Sequence, residues 1–202
     1  MNDLLDALAA ARRRVHSGAD GDALAVRLER TYPAGPEDVW DALTTPDRLA
    51  RWFLPVSGDL RVGGRFRTEG NADGEILACE PPRRLVVSWG APDSIVTVDL
   101  AASGDGRTDL VFEHAVPATY GDAGGALYVG PGWDGALLSL GVHLAGGAVD
   151  DPNSPEMLAF NERSVRAWEA AVRASGMATE EQVAAAVEVS LQQFTVLPGE
   201  QS

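Results

Sequence analysis

The sequence predicts an α+β fold in which an antiparallel sheet curls around one long helix, with a helical hairpin added at the C-terminus. Three observations carry this expectation. Residues Gly124 to Gly147 are apolar over most of a helix circumference, with Trp133, Leu137, Leu140 and Leu144 at i, i+4, i+7 and i+11 and Ala136, Leu138 and Val142 on other sides, as in a buried helix. About seven strand-like segments separated by turn residues precede it. Two amphipathic helical stretches follow it.

In chain order, Asn2 or Asp3 caps a first helix whose apolar positions Leu4, Leu8, Ala11 and Val15 recur at helical spacing and which stops before Gly18. Arg12, Arg13 and Arg14 then fall near its C-terminus, where arginines complement the helix dipole on a solvated face. After the Ser17–Asp22 joint, Leu24, Val26 and Leu28 alternate with Ala25, Arg27 and Glu29, the pattern of a half-buried strand. Pro36 with Glu37 and Asp38, and Pro46 with Asp47, each open a short helix: proline suits the first helical position and acids suit the first turn.

From Ser57 onward the punctuation is that of hairpins. Gly63-Gly64 separates Leu60–Val62 from Arg65–Thr68 and fits a tight two-residue turn. Strands are expected at Glu75 to Glu80, Leu85 to Trp89, Ser94 to Ala101 and Thr108 to His114. Beyond the long helix, Ser154-Pro155 starts a helix with Met157, Phe160, Ala167, Trp168 and Val172 on one side. Thr179-Glu180-Glu181-Gln182 is a capping box ahead of Val183, Ala186, Val187, Ser190, Leu191 and Phe194. This divides the chain into an N-terminal helix and joint (1–21), a central domain (22–147) and a C-terminal helical extension (148–202).

Composition excludes several functions. The formal charge is −14 and all sixteen basic residues are arginine, which opposes binding to a phosphate backbone and argues against nucleic acid as a partner. No apolar run approaches the roughly 18 to 20 residues of a membrane span, and charges interrupt the first fifteen residues, so neither a membrane anchor nor a signal peptide is expected and the location inferred is cytoplasmic. In the C-terminal extension acidic residues outnumber arginines nine to three, against docking on anionic lipid. Cys79 is the only cysteine, which rules out a multi-cysteine metal site; its expected role is that of a small buried hydrophobe.

Candidate functional residues come from strand parity and helix spacing. The inward set is Phe66, Leu85, Val87, Trp89, Val96, Val98, Phe112, Trp133, Leu137 and Leu140, whose rings either line a pocket or fill it. His114 shares a face with Leu110 and Phe112, and His143 lies about 80° from the long helix's apolar stripe. Each either orients a ligand or satisfies a buried polar contact. Trp52 completes the list. Gly130-Pro131-Gly132-Trp133-Asp134-Gly135 matches GxGxxG, but it follows a run of hairpins instead of joining a first strand to its helix, so close packing of the glycines is the expected reason for it. His16, His114 and His143 lack metal-ligand spacing, and no catalytic constellation is recognisable; no metal or cofactor is expected.

Val39-Trp40, Pro46, Leu49, Trp52-Phe53, Gly58-Asp59, Gly63-Gly64, Phe66, the Pro81-Pro82 to Leu85 corner, Trp89 and His114 in this order resemble the SRPBCC or START-like superfamily, and within it the homologues of the activator of Hsp90 ATPase. The resemblance covers about Ala23 to Gly147. It implies a helix-grip fold, a seven-stranded antiparallel sheet curled around a long C-terminal helix with a mostly apolar cavity between them, and tails similar to those of bacterial relatives. Binding of a small hydrophobic molecule is the first function it implies. The alternatives are stimulation of a heat-shock ATPase and a cyclase- or aromatase-like reaction. For the C-terminal hairpin, packing on its own domain, covering the cavity mouth and forming a homodimer are all open, with packing within the chain the default.

Overall fold

The computed structural model describes residues 2–18, 24–117, 123–149, 151 and 153–196. Most of the Ser17–Asp22 joint, together with Asp150 and Glu200, lies outside the described residues. The elements are α1 (Asn2–Ala10), β1 (Arg12–Ser17), β2 (Leu24–Tyr32), α2 (Pro36–Thr44), α3 (Pro46–Trp52), β3 (Val56–Gly58), β4 (Arg65–Thr68), β5 (Asp73–Glu80), β6 (Arg84–Trp89), β7 (Ala91–Ala102), β8 (Thr108–Val116), α4 (Ala126–Leu144), α5 (Pro155–Ser175) and α6 (Glu180–Thr195). The strands form one antiparallel sheet in the order β1-β2-β8-β7-β6-β5-β4-β3, an α+β helix-grip architecture with eight strands where the sequence suggested seven.

The eighth strand is β1. The first helix stops at Ala10, and the chain is extended where helical spacing had continued to Val15. Ala11 and Val15 are buried and Arg12 and Arg14 exposed, so the segment also alternates with a period of two, and the strand wins. Arg13, between them, is not on a solvated face. Its Nη1 donates to the Ala11 carbonyl and its Nη2 to the Leu8 carbonyl, both at 3.0 Å, closing the end of α1. The other correction concerns the first hairpin. Its strand is Val56–Gly58, and Leu60–Val62 belong to the connection, because Gly63 N–H bonds to the Ile76 carbonyl and Ile76 N–H to the Gly64 carbonyl, at 2.8 and 2.9 Å.

The chain divides into two compact units: Met1–Leu28, Pro117–Leu138 and Val149–Ser202 make one, Glu29–Val116 and Ser139–Ala148 the other. In the first, the C-terminal helices start as the sequence indicates. Ser154 Oγ accepts from Met157 N–H at the head of α5, Gly176 ends that helix with φ of 67°, and Thr179 and Gln182 exchange both capping-box bonds before α6. Their apolar stripes are buried within this unit: Met157 and Phe160 pack with Leu8 and Leu138, and Phe160, Trp168, Val172 and Val183 are fully enclosed.

A buried carboxylate ties the unit together. Asp134 of α4, 0% exposed, accepts four bonds: from Arg13 Nε (2.8 Å) and Nη2 (2.9 Å), from Ser164 Oγ (2.6 Å) and from Trp168 Nε1 (3.0 Å). Three elements, β1, α4 and α5, thus meet on one side chain. The GxGxxG stretch lies inside α4, and a Cβ on Gly130 would sit 2.5 Å from Trp168 Cδ2 and Cε2. The glycine is there for close approach, against a helix of the same unit.

In the second unit, α2 and α3 begin at prolines as predicted, with Val39, Ala42 and Leu49 turned inward. The sheet carries regular alternation: along β7 Ser94, Val96, Val98 and Leu100 are buried, and along β8 Leu110, Phe112, His114 and Val116. Alternation puts each set on one face. The end of α4 is closed by Gly146, whose φ is 80°, with Gly146 N–H on the His143 carbonyl and Gly147 N–H on the Val142 carbonyl.

Candidate ligand-binding face

The register of the second unit aligns apolar side chains in rows across the sheet, all buried except the half-buried Leu85. Ile76, Val87, Val96 and His114 are successive cross-strand partners, and so are Leu85, Val98 and Phe112, followed by Leu100 and Leu110. Of the sequence-proposed lining, Val87, Val98, Phe112 and His114 therefore lie on neighbouring rows. Phe66, opposite Gly74 on β4 and β5, extends the surface toward the edge. Gly74 is required there because a Cβ would meet both the Ser88 carbonyl and the Phe66 ring.

Aromatic rings form a chain at this edge. Phe66 and Trp89 have centroids 5.9 Å apart, Trp89 and Phe53 6.1 Å, and Phe53 and Trp52 5.5 Å, all tilted. Trp52 is oriented by its Nε1–H, which donates to the Ala42 carbonyl of α2 at 3.0 Å. Phe66 is buried, whereas Trp52, Phe53 and Trp89 are only half-buried. Sequence parity missed Phe53 because it ends a helix and belongs to no strand.

This unit holds two polar centres, one in the rows and one on α4. His114, 4% exposed, has Nε2 2.8 Å from Ser94 Oγ, itself buried. Burial pulls the His114 pKa down from 6.5 to about 4, so the ring is neutral at pH 7 and its role there is hydrogen bonding. His143, half-buried on α4, accepts from Arg48 Nε at 3.3 Å through Nε2. Arg48 is in turn held by Asp38 (2.6 Å) and Asp41 (2.9 Å). Burial first, then the positive charges of Arg48 and Arg51, lower the His143 pKa. Leu140 is buried on the same stretch of α4, and Gly141 meets the ring of Tyr32, whose Cε1 lies 3.3 Å from where a Cβ would be. Trp133, half-buried, and Leu137, buried, lie on the part of α4 that belongs to the first unit.

The structure adds one residue that sequence reading passed over. Along β2 the buried positions Leu24, Val26, Leu28, Arg30 and Tyr32 alternate, and Arg30 at 9% exposure carries Nε and Nη2 with no hydrogen-bond partner. Extending the Leu24–Leu28 alternation by two residues would have placed this arginine on the buried face. Cys79 corrects in the other direction. Past a bulge between Ile76 and Ala78 it pairs with Leu85, on the row of Val98 and Phe112, yet its thiol is exposed, near the end of β5. Among the described residues no group of three or more histidine, cysteine or carboxylate side chains is placed to hold a metal ion, and no helix is long and apolar enough to cross a membrane.

Sheet order, the position of the long helix in the chain and the apolar rows define a protein of the SRPBCC, START-like class. The sequence profile of the activator of Hsp90 ATPase homolog 1-like proteins matches residues 33–145, and the chain belongs to that family. Among solved structures it is similar to CalU16 from Micromonospora echinospora, 39% identical over 81% of this chain and 98% of that one, with a TM-score of 0.69 for the crystal structure. A protein encoded by gene BPP1335 of Bordetella parapertussis is 28% identical over 75% of this chain and 88% of that one, with a TM-score of 0.54. DynU16, from the dynemicin biosynthetic locus, shares the fold at 23% identity over 67% of this chain and 59% of that one, with a TM-score of 0.56. No curated protein matches the sequence.

Proposed function

We propose that the chain binds a small hydrophobic molecule against the buried face of the sheet in its second unit. The observation that carries this reading is the state of the rings. Trp168 and Phe160 are fully enclosed, whereas Trp52, Phe53 and Trp89 stack in a chain beside the apolar rows and keep accessible surface. Apolar surface with a few fixed polar groups is the usual composition of a small-molecule site. Here the fixed groups are the Ser94–His114 pair and Arg48–His143; burial disfavours a charge on both imidazoles, and at His143 the neighbouring Arg48 and Arg51 add to it.

The test is a comparison of native and denatured masses of protein purified without detergent. A reproducible adduct of a few hundred daltons that is lost on denaturation supports the reading, and extraction then identifies its class. Purified protein that carries no adduct, takes up no hydrophobic probe and stimulates a heat-shock ATPase would replace it with the chaperone-accessory role.

A further inference from the structure

We infer that Arg30 is the anchor for a carboxylate, so that the ligand of this face is a hydrophobic carboxylic acid and not a neutral molecule; this rests on the reading above. The two nitrogens without partners are Nε and Nη2. Together they form one edge of the guanidinium, two parallel N–H donors whose spacing matches the two oxygens of a carboxylate. The same chain shows that edge satisfied: Arg13 uses Nε and Nη2 on the two oxygens of Asp134, at 2.8 and 2.9 Å. Arg30 repeats the fork without the acid.

Its position fits such an occupant. Tyr32, two residues along the same face of β2, lies against Gly141 of α4. On the opposite face Thr31 Oγ1 donates to Asp109 Oδ1 of β8 at 2.5 Å, so Arg30 lies beside the stretch of β8 that carries Leu110 and Phe112. A charge held among apolar side chains is costly unless it is paired. An acid that reaches the fork supplies the missing acceptor and buries its own hydrocarbon against this face in the same step. The surface of the protein is strongly acidic overall, so attraction of an anion comes from this local fork and not from the general field.

The experiment is calorimetric titration of the full chain with dodecanoate, with dodecanol and with acetate, below the micellar range, on the native sequence and on Arg30→Met and Arg30→Lys. Dodecanoate is expected to bind the native protein roughly ten- to a hundredfold more tightly than dodecanol, the value of a charge-assisted two-point contact. Arg30→Met should erase that preference, keep dodecanol binding, and melt no lower than the native protein, since it removes an unpaired buried charge. Arg30→Lys keeps the charge without the fork and should retain only part of the preference; it carries the test if the methionine variant does not fold. Equal binding of dodecanoate and dodecanol overturns the inference and leaves the hydrophobic site standing. Acetate binding as tightly as dodecanoate overturns it in favour of a free-anion site. A lower melting temperature for Arg30→Met overturns it in favour of a structural role, and failure of both long-chain probes overturns the hydrophobic site as well.

Discussion

Replacing Asp134 by alanine tests the packing logic of the first unit most sharply. The substitution removes the acceptor of four hydrogen bonds and strands the Arg13 guanidinium, whose side chain is 8% exposed, with Ser164 Oγ–H and Trp168 Nε1–H also losing their acceptor. Breaking a buried ion pair from one side costs about 3–5 kcal/mol, most of it the penalty of the charge left behind. For a chain of this length, about 2–4 °C per kcal/mol gives a fall in melting temperature of roughly 6–20 °C. Urea titration followed by circular dichroism measures the loss directly. The double variant Arg13→Met with Asp134→Leu removes both charges and should recover most of the stability, because apolar replacement of a whole buried pair is often neutral. A loss below about 1 kcal/mol in the single variant, or a double variant worse than it, would refute the claim that the penalty lies in the unpaired charge.

Other outcomes follow from single positions. His114 has its pKa held at about 4 in the folded chain against about 6.5 unfolded, so the unfolded state takes up the proton first as pH falls and stability declines between those values. The loss amounts to about 2 kcal/mol between pH 7 and pH 5, and His114→Gln should flatten that slope in denaturant titrations at the two pH values. Gly130→Ala should destabilise by about 1–3 kcal/mol through collision with the enclosed Trp168, although alanine in place of glycine ordinarily favours a helix; a higher melting temperature would contradict the close approach. Thr179→Ala removes one half of the capping box of α6 and should cost about 1 kcal/mol by the same measurement.

What was legible in the sequence is what local chemistry decides. Ser154 and Thr179 announce helix starts because an N-terminal turn needs acceptors for its free N–H groups, and those acceptors lie within three residues. Pro36 and Pro46 do so because proline has no N–H to satisfy and a φ already suited to the first turn. Strand parity placed Val98, Phe112 and His114 correctly on buried faces for a similar reason. The misread segments are those decided at a distance. Ala11, Arg13 and Val15 fit a period of two as well as a helix, and the partner that settles Arg13 is Asp134, more than a hundred residues away. Gly63-Gly64 looks like a hairpin turn until Ile76 bonds to both. Arg30 was passed over because an arginine in a strand is ordinarily read as an outward residue; only its parity with Leu28 and Tyr32 says otherwise. Cys79 was expected to be buried like most free cysteines, and it is exposed one residue before the end of β5.

The central claim, that the buried face of the sheet is a ligand surface, is tested most directly by methyl-resolved nuclear magnetic resonance of the chain during titration with dodecanoate. Shifts concentrated on Val87, Val96, Val98, Leu110 and Leu140, saturating together, are the expected result. Shifts confined to Val183, Val187 and Leu191 of the C-terminal helices, with the sheet methyls unmoved, would contradict it.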